Sequence, residues 1–132
     1  MTVGVSTVNT ANAWLNATRT GGSNITAPAT CYVQLHTADP GASGTTAVSV
    51  GSTTRNSVTH NAASSGSITL ASMGGTWTNG GTSETITHIS VWNASSAGTF
   101  FYSVALTASQ AWASGNTFTL NSLTVSISPL AA

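Results

Sequence analysis

Three histidines, His36, His60 and His88, are the side chains of this 132-residue chain best suited to metal binding or acid–base chemistry. A shared zinc site would need all three to converge from different parts of the fold. Their spacing along the chain matches no metal-binding motif. We therefore expect histidines held by hydrogen bonds in the core or on strand surfaces, and neither a metal site nor any other cofactor.

A pair of carboxylates is the second arrangement that would support catalysis. Asp39 and Glu84 are the two acidic residues of the chain, so a glycosidase-type pair would have to consist of them. Asp39 precedes Pro40 and Gly41, and an aspartate in such a turn more often accepts a hydrogen bond from the local backbone. The pattern favours a structural role for this carboxylate.

Cys31 is the single cysteine, so it cannot form a disulfide within the chain. With a histidine as base it would be a nucleophile. It alternates with Val33 and Leu35, however, which predicts a small apolar residue inside the core. No group of residues therefore has the composition of a catalytic site, and we expect a protein that is not an enzyme.

The composition excludes several classes of partner. Charged residues make up 3% of the chain, against about 25% in ordinary soluble domains; they are Arg19, Asp39, Arg55 and Glu84. Two arginines cannot neutralise the phosphates of a nucleic acid or the surface of an anionic membrane. The zero net charge also leaves little repulsion between copies, which favours a protein that works in an assembly.

Hydroxyl side chains dominate the polar residues, with 24 Thr and 20 Ser. Low charge with many small polar residues is also seen in disordered chains, but those are poor in apolar residues. Here 40% of the residues are hydrophobic and four are Trp. Because Thr is β-branched and suits a pleated surface, the composition predicts a folded β-domain. No apolar run approaches a membrane span, and no secretory signal is expected at the N-terminus.

The elements that would position these residues can be read from the periodicity. Residues 5–18 have apolar positions near helical spacing, with Ser6 or Thr7 as the cap. Residues 31–37 then alternate, with Cys31, Val33 and Leu35 on one face. Further strands are predicted at 47–50, 55–60, 67–71, 76–78, 85–92, 99–106 and 117–128.

Seven or eight short strands separated by turns predict a mostly β protein, an antiparallel β-sandwich with a short N-terminal helix. One domain is expected over residues 1–132, with a helical arm at 1–22 and the sandwich at 30–128. In the last strand the apolar parity changes around Asn121 and Ser122. That change predicts a β-bulge or a bend between sheets.

Aromatic side chains are candidates for contacts with a partner. A platform for stacking sugars would be drawn from Trp14, Trp77, Trp92, Trp112, Tyr32 and Tyr102. The alternative is that the Trp residues fill the core and the subunit contacts of a small domain. Trp112 stands just before a turn and is expected to be exposed. The residues predicted to contact a partner are Trp14, Leu15, Trp112 and Tyr102.

Three stretches resemble a family of small structural proteins of tailed bacteriophages. They are residues 32–41 (YVQLHTADPG) with the following ASGT, residues 86–94 and 98–106 (ITHISVWNA and GTFFYSVAL), and residues 123–127 (LTVSI). The order and spacing of these stretches match the family pattern over about residues 5–128. Thr53-Thr54-Arg55 stands where the family pattern often has Tyr-Ala-Arg, so only the Arg is retained. Members are usually labelled tail fibre, minor tail or head-associated proteins.

The resemblance implies a component of the phage particle without catalytic residues. Our first expectation is a capsid decoration protein on the outer surface of the head, a homo-oligomer such as a trimer, bound to the major capsid protein or other virion proteins. The alternative is a minor tail or fibre component that contacts host glycans. For the decoration protein we expect the N-terminal segment with Trp14 and Leu15 to contact a neighbour, whereas for the fibre component the exposed Trp and Tyr side chains would make the contact.

Overall fold

The computed structural model describes residues 3–128. Residues 1–2 and 129–132 of the predicted domain lie outside this part. The described elements are a π-helical turn at Thr7–Ala11, helix α1 at Asn12–Thr18, and strands β1 (Cys31–His36), β2 (Asn56–His60), β3 (Ser67–Met73), β4 (Trp77–Thr78), β5 (Glu84–Trp92), β6 (Phe100–Trp112), β7 (Thr117–Phe118) and β8 (Thr124–Ser126).

The strands form two antiparallel sheets. The large sheet has the order β6-β5-β1-β2-β3-β8, and β4 pairs with β7 in the small one. The core includes Val33, Leu35 and Ile89 of the large sheet, packed together with Trp77 and Phe118 of the small sheet. A mostly β, single-domain fold with antiparallel sheets and a short N-terminal helix is therefore confirmed.

β1 lies in the middle of the large sheet, paired with β5 on one edge and β2 on the other, and both of its faces are buried. Val33 and Leu35 are on the predicted core face, and each is 0% exposed. Gln34 and His36, on the opposite face, are also buried. The loop between β1 and β2 covers that second face, since His36 bonds to the carbonyl of Thr46 and Gln34 bonds to that of Thr53.

Three predicted strands differ from the structure. Residues 47–50 form a loop that contributes an isolated bridge between His36 and Val48. β6 continues to Trp112, six residues past its predicted end. The predicted strand at 117–128 is two short strands, β7 and β8, separated by an irregular stretch at 119–123. The parity change around Asn121 therefore marks an interruption that moves the chain from the small sheet to the large one.

A β-bulge instead lies between β5 and β6. Ile86 pairs with Gln110 and His88 pairs with Ala105, so residues 106–109 stand opposite Thr87 alone. Extra residues on one strand bend it and increase its twist. The bend carries the end of β6 over the core, where the ring of Trp112 packs against Phe118 of the small sheet.

The N-terminal segment begins as an extended chain on the outer edge of β6. Ser103 donates a backbone hydrogen bond to Gly4 and Ser6 donates one to Phe101. Ser6 then caps the helical residues as predicted, accepting from the backbone N–H of Asn9 at 3.3 Å. We call Thr7–Ala11 together with Asn12–Thr18 the helical segment.

Candidate functional site

The histidines do not form a metal centre. His36 and His88 face each other across β1 and β5, while His60 lies on β2 and shares a 3.1 Å hydrogen bond with the hydroxyl of Tyr102. Within residues 3–128 no group of three or more His, Cys, Asp or Glu side chains is placed to hold a metal ion.

His36 lies in a continuous series of hydrogen bonds that runs from Thr46 to Trp92. Its Nδ1 is 2.8 Å from the carbonyl of Thr46, which can only accept, so Nδ1 carries the proton. Its Nε2 therefore accepts from Ser90 Oγ at 2.7 Å, and Ser90 Oγ in turn accepts from the indole of Trp92 at 2.7 Å. Burial lowers the pKa of His36, and this outweighs the opposing effect of the Thr46 carbonyl.

The two carboxylates are used by their own loops and share no hydrogen-bond partner. Asp39 Oδ1 accepts from the backbone of Gly41 at 2.8 Å, the local turn that the sequence predicts. Glu84 accepts from the hydroxyl of Ser49 and from the backbone N–H groups of Val50 and Gly51 at 3.2 and 3.1 Å. Glu84 thus fixes the loop that precedes β2. The arrangement is not that of a glycosidase pair.

Cys31 is half-buried and packs against the core. Burial raises the pKa of its thiol, so the neutral form is favoured, whereas a nucleophile needs the thiolate. The predicted role as a small apolar residue agrees with this packing.

Two of the predicted contact residues are inside the protein. Trp112 is 2% exposed, and its indole N–H donates to the carbonyl of Asn116 at 2.9 Å. The prediction that it is exposed is wrong, because the bend of β6 turns it onto Phe118. Tyr102 is 8% exposed, and burial raises the pKa of its hydroxyl. Trp77 and Trp92 are buried as well, so these side chains do not form a sugar-stacking face.

The other two predicted contact residues are on the surface. Trp14 is 36% exposed and Leu15 is 68% exposed. Among the described residues, seven large apolar side chains are classed as exposed, and five of them fall within residues 5–25: Val5, Val8, Trp14, Leu15 and Ile25. No residue of α1 is buried. Grouped exposed apolar side chains mark an interaction surface.

The polar side of the helical segment is attached firmly to β6. Asn9 Nδ2 donates to the carbonyl of Phe100 at 3.0 Å, and Thr10 Oγ1 donates to that of Phe101 at 2.9 Å. Thr10 is buried, whereas Val8 beside it is 76% exposed. The segment is therefore held with its apolar side chains directed away from the sheet.

Arg55 is a structural residue that the chemistry of the sequence did not reveal. Its Nη1 donates to the carbonyls of Ala94 and Ala97 at 3.1 and 2.6 Å, and its Nε donates to Gln34 at 3.2 Å. The guanidinium lies 3.7 Å from the ring centroid of Trp92. The sequence indicates its importance in one way: Arg55 keeps the Arg of the Tyr-Ala-Arg segment that is common in the family that the chain resembles.

A groove of about 630 Å³ lies between β6 and the stretch that follows β7. Its floor contains Ile89, Leu120 and Leu123, which are buried. Its rims carry Thr107 and Gln110 on one side and further small polar residues on the other. We call this the β6 groove; no charged residue lines it.

These features define a class of protein: a small antiparallel β-domain in which Asp39, Arg55 and Glu84 stabilise loops of the same chain, and in which five of the seven exposed large apolar side chains of residues 3–128 lie within residues 5–25. Within residues 3–128 no helix has the length and hydropathy needed to cross a bilayer.

Comparison with known families identifies the chain more closely. The family described as Podophage GP4 fiber I protein gp80 matches residues 4–128. The chain belongs to this family of phage virion proteins. No curated protein matches it.

Proposed function

We propose that this protein is a non-catalytic structural subunit of a tail fibre in a tailed bacteriophage particle. The description of its family names a fibre protein, which favours the fibre alternative over capsid decoration. The ionisable side chains support a structural role, because His36, Asp39 and Glu84 are engaged by neighbouring loops and strands.

The observation that carries the proposal is the contrast between the β-domain and the helical segment. Thr and Asn are poor helix formers, and isolated helices shorter than about 12–15 residues are marginal in water. The segment nevertheless exposes Val8, Trp14 and Leu15. The bonds of Asn9 and Thr10 to β6 hold the segment in place, and burial of its apolar side chains against a neighbouring protein in the particle would stabilise it further.

A contact with host glycans has less support than attachment to the particle. Sugar stacking requires exposed aromatic faces, and Trp77, Trp92 and Trp112 are each at most 5% exposed. Trp14 is an exposed indole, but it lies among the aliphatic side chains of the helical segment. We therefore assign Trp14 to the protein contact.

Cryo-electron microscopy of the intact particle tests the role. Density for this β-domain in the fibres of the tail is expected. Density repeated over the icosahedral head would overturn the fibre proposal and establish the protein as a decoration protein of the capsid.

A surface variant tests the attachment through the helical segment. Removing residues before Thr20 would also remove Gly4 and Ser6, which cover the edge of β6. The double substitution Trp14→Ser with Leu15→Ser is therefore the sharper test. We expect it to abolish incorporation into particles without changing the thermal unfolding midpoint by more than a few degrees.

Val50→Ser is the matched control for this variant, because Val50 is 71% exposed and lies outside the helical segment. It should incorporate like the wild type. Normal incorporation of the Trp14→Ser, Leu15→Ser protein would contradict the assigned contact.

A further inference from the structure

The N-terminal residues complete the large sheet as an additional edge strand. The backbone N–H of Ser103 donates to the carbonyl of Gly4. The carbonyl of Phe101 accepts from the backbone of Ser6 at 2.7 Å and from the hydroxyl of Thr10 at 2.9 Å. Without these residues the edge of β6 would present unpaired backbone groups, which are a template for pairing with another strand. This edge is therefore a binding surface, and the structure shows which segment fits it.

The chain between this segment and β1 makes no hydrogen bond to the sheets. We call residues 4–18 the docked segment and residues 19–30 the connection. Every residue of the connection is exposed, and the hydrogen bonds described for residues 20–30 run only to Arg19. The hydrogen bonds described between the docked segment and the β-domain all go to β6. The docked segment is therefore held by β6, and the connection acts as a tether.

The connection is long enough to reach a second copy. The docked segment lies three strand spacings from β1, across β6 and β5, which is about 14 Å. The residues of the connection span up to about 40 Å when extended. A domain of 132 residues has a radius of gyration of about 14 Å, so the centres of two touching copies are about 35–40 Å apart. The connection can therefore carry the docked segment to β6 of a neighbour.

Docking on a neighbour uses the same contacts with β6 as docking on the same copy, so concentration decides between the two arrangements. A short flexible linker holds its segment at an effective concentration in the millimolar range. Touching copies of this size are present at on the order of 10 mM, so close packing favours exchange. Exchange also brings the exposed side chains of Val8, Trp14 and Leu15 beside a second copy, where their burial would stabilise the assembly.

We infer that the docked segment is exchanged between copies, so that residues 4–18 of one copy complete the edge of β6 in the next. The inference rests on the proposed fibre role, which supplies the close packing, and it names a second copy as the partner of the segment. Reciprocal exchange gives a dimer, and exchange passed from copy to copy gives a closed ring or an open filament. In dilute solution the docked segment returns to its own β6.

Cleavage of the connection distinguishes exchange from a contact between surfaces. Arg19 and Arg55 are the two positions at which trypsin can cut this lysine-free chain. Arg19 is exposed in the connection, whereas Arg55 is half-buried and bonded to β1 and to the loop after β5. The full chain is brought to the millimolar range, cut with trypsin and diluted, and native mass spectrometry measures the complexes.

Trypsin should convert exchanged oligomers into complexes of monomer mass, each made of residues 1–19 and residues 20–132. The reason is that the cut connections no longer join one copy to the next. Oligomers held only by the exposed side chains of the helical segment would keep their mass, since each segment would stay on its own β6. Arg19→Gln is the matched control, because it removes the exposed cleavage site, and its oligomers should survive the same treatment.

The length of the connection provides a second test, measured by sedimentation velocity over a concentration series. Deletion of residues 21–28 leaves four residues in the connection, which span at most about 14 Å. This strains docking on the same copy, so the dissociation constant between copies should fall more than about tenfold. Insertion of eight Gly and Ser residues after Gly22 is the matched control. It should change the dissociation constant by less than about threefold, because effective concentration falls slowly with linker length.

Three outcomes would overturn the inference. The first is a wild type that stays monomeric in the millimolar range, and the second is an oligomer that keeps its mass after complete cleavage at Arg19. The third is a folded deletion variant that associates no more strongly than the wild type. Each would mean that the docked segment stays on its own copy. None of them bears on the location of the protein in the particle, so the fibre proposal is tested separately by microscopy.

Discussion

Arg55 connects three parts of the chain that are distant in sequence. It bonds to Gln34 on β1 and to two carbonyls of the loop between β5 and β6, and it stacks on Trp92. Lysine cannot reproduce this fork of donors. Arg55 therefore holds the loop between β5 and β6 against β1.

We expect Arg55→Lys to lower the free energy of unfolding by about 1–2 kcal/mol, because hydrogen bonds to a charged group contribute about 1.5–3 kcal/mol and Lys keeps part of them. Urea unfolding at pH 7 measures the change. Arg19→Lys is the control, since the bonds of Arg19 are exposed, and it should change stability by less than about 0.5 kcal/mol. Equal effects of the two variants would contradict the role of Arg55.

His36 makes the stability depend on pH. Its pKa is lowered from 6.5, first by burial, with smaller contributions from His88 and Arg55. The unfolded chain therefore binds a proton more readily than the folded one. The stability from neutral His36 is complete above the unfolded pKa of about 6.5 and is lost as the pH falls below it. His60, whose pKa is also lowered by burial, acts in the same direction.

Urea unfolding at pH 7.5 and pH 5.0 should show a less stable protein at pH 5.0. In His36→Gln the difference between the two pH values should be smaller, although the variant is less stable at both. A difference as large as that of the wild type would show that His36 is not a source of the pH dependence.

At the scale of elements, the sequence patterns predict strands well where one face is apolar. The alternation at 31–37 places β1 to within one residue, and the strand predicted at 85–92 matches β5 equally closely. The end of β6 was missed because residues 107–111 (TASQA) have no apolar alternation. These residues belong to the strand through a bulge and through Trp112, whose burial depends on a sheet that comes from elsewhere in the chain.

The predictions for the contact residues differ in the same way, according to whether local or long-range structure determines exposure. Trp14 and Leu15 lie on the surface, and their contact with a partner stays a prediction. Trp112 is placed wrongly because a position before a turn does not reveal the direction of a strand that bends. The bonds of Arg55 and the β6 groove depend on tertiary packing, and no periodicity in the sequence predicts them.

The turn after β1 provides a test at this scale. Gly44 has φ +73°, and an added Cβ would overlap the ring of Phe100, which is itself held against Trp92 at 5.4 Å. We expect Gly44→Ala to destabilise the protein by about 2–4 kcal/mol, combining backbone strain with the displaced ring.

Gly115→Ala separates the two effects. Gly115 has φ +83° and open space around it, so only the strain of about 1–2 kcal/mol is expected. Thermal unfolding of both variants gives the comparison. Equal losses would show that the ring of Phe100 moves aside without cost.

At the scale of the whole molecule, the small number of charges limits the kinds of contact that the protein can make. Four charged residues and zero net charge leave surfaces covered mainly by Thr, Ser and small apolar groups. Attraction between copies must then come from apolar burial and hydrogen bonds. Ion pairs would contribute little to such a contact.

The response of association to salt follows from this composition. Raising NaCl from 0.1 to 1 M shortens the Debye length from about 10 Å to about 3 Å, yet the dissociation constant between copies should change less than about threefold. Ammonium sulfate at equal ionic strength should tighten association, because excluded salts strengthen apolar burial. Sedimentation in the two salts measures both effects. A dissociation constant that rises tenfold or more in NaCl would mean that Arg19, Arg55, Asp39 or Glu84 lies in the contact, since the described chain has no other fully charged side chain to be screened.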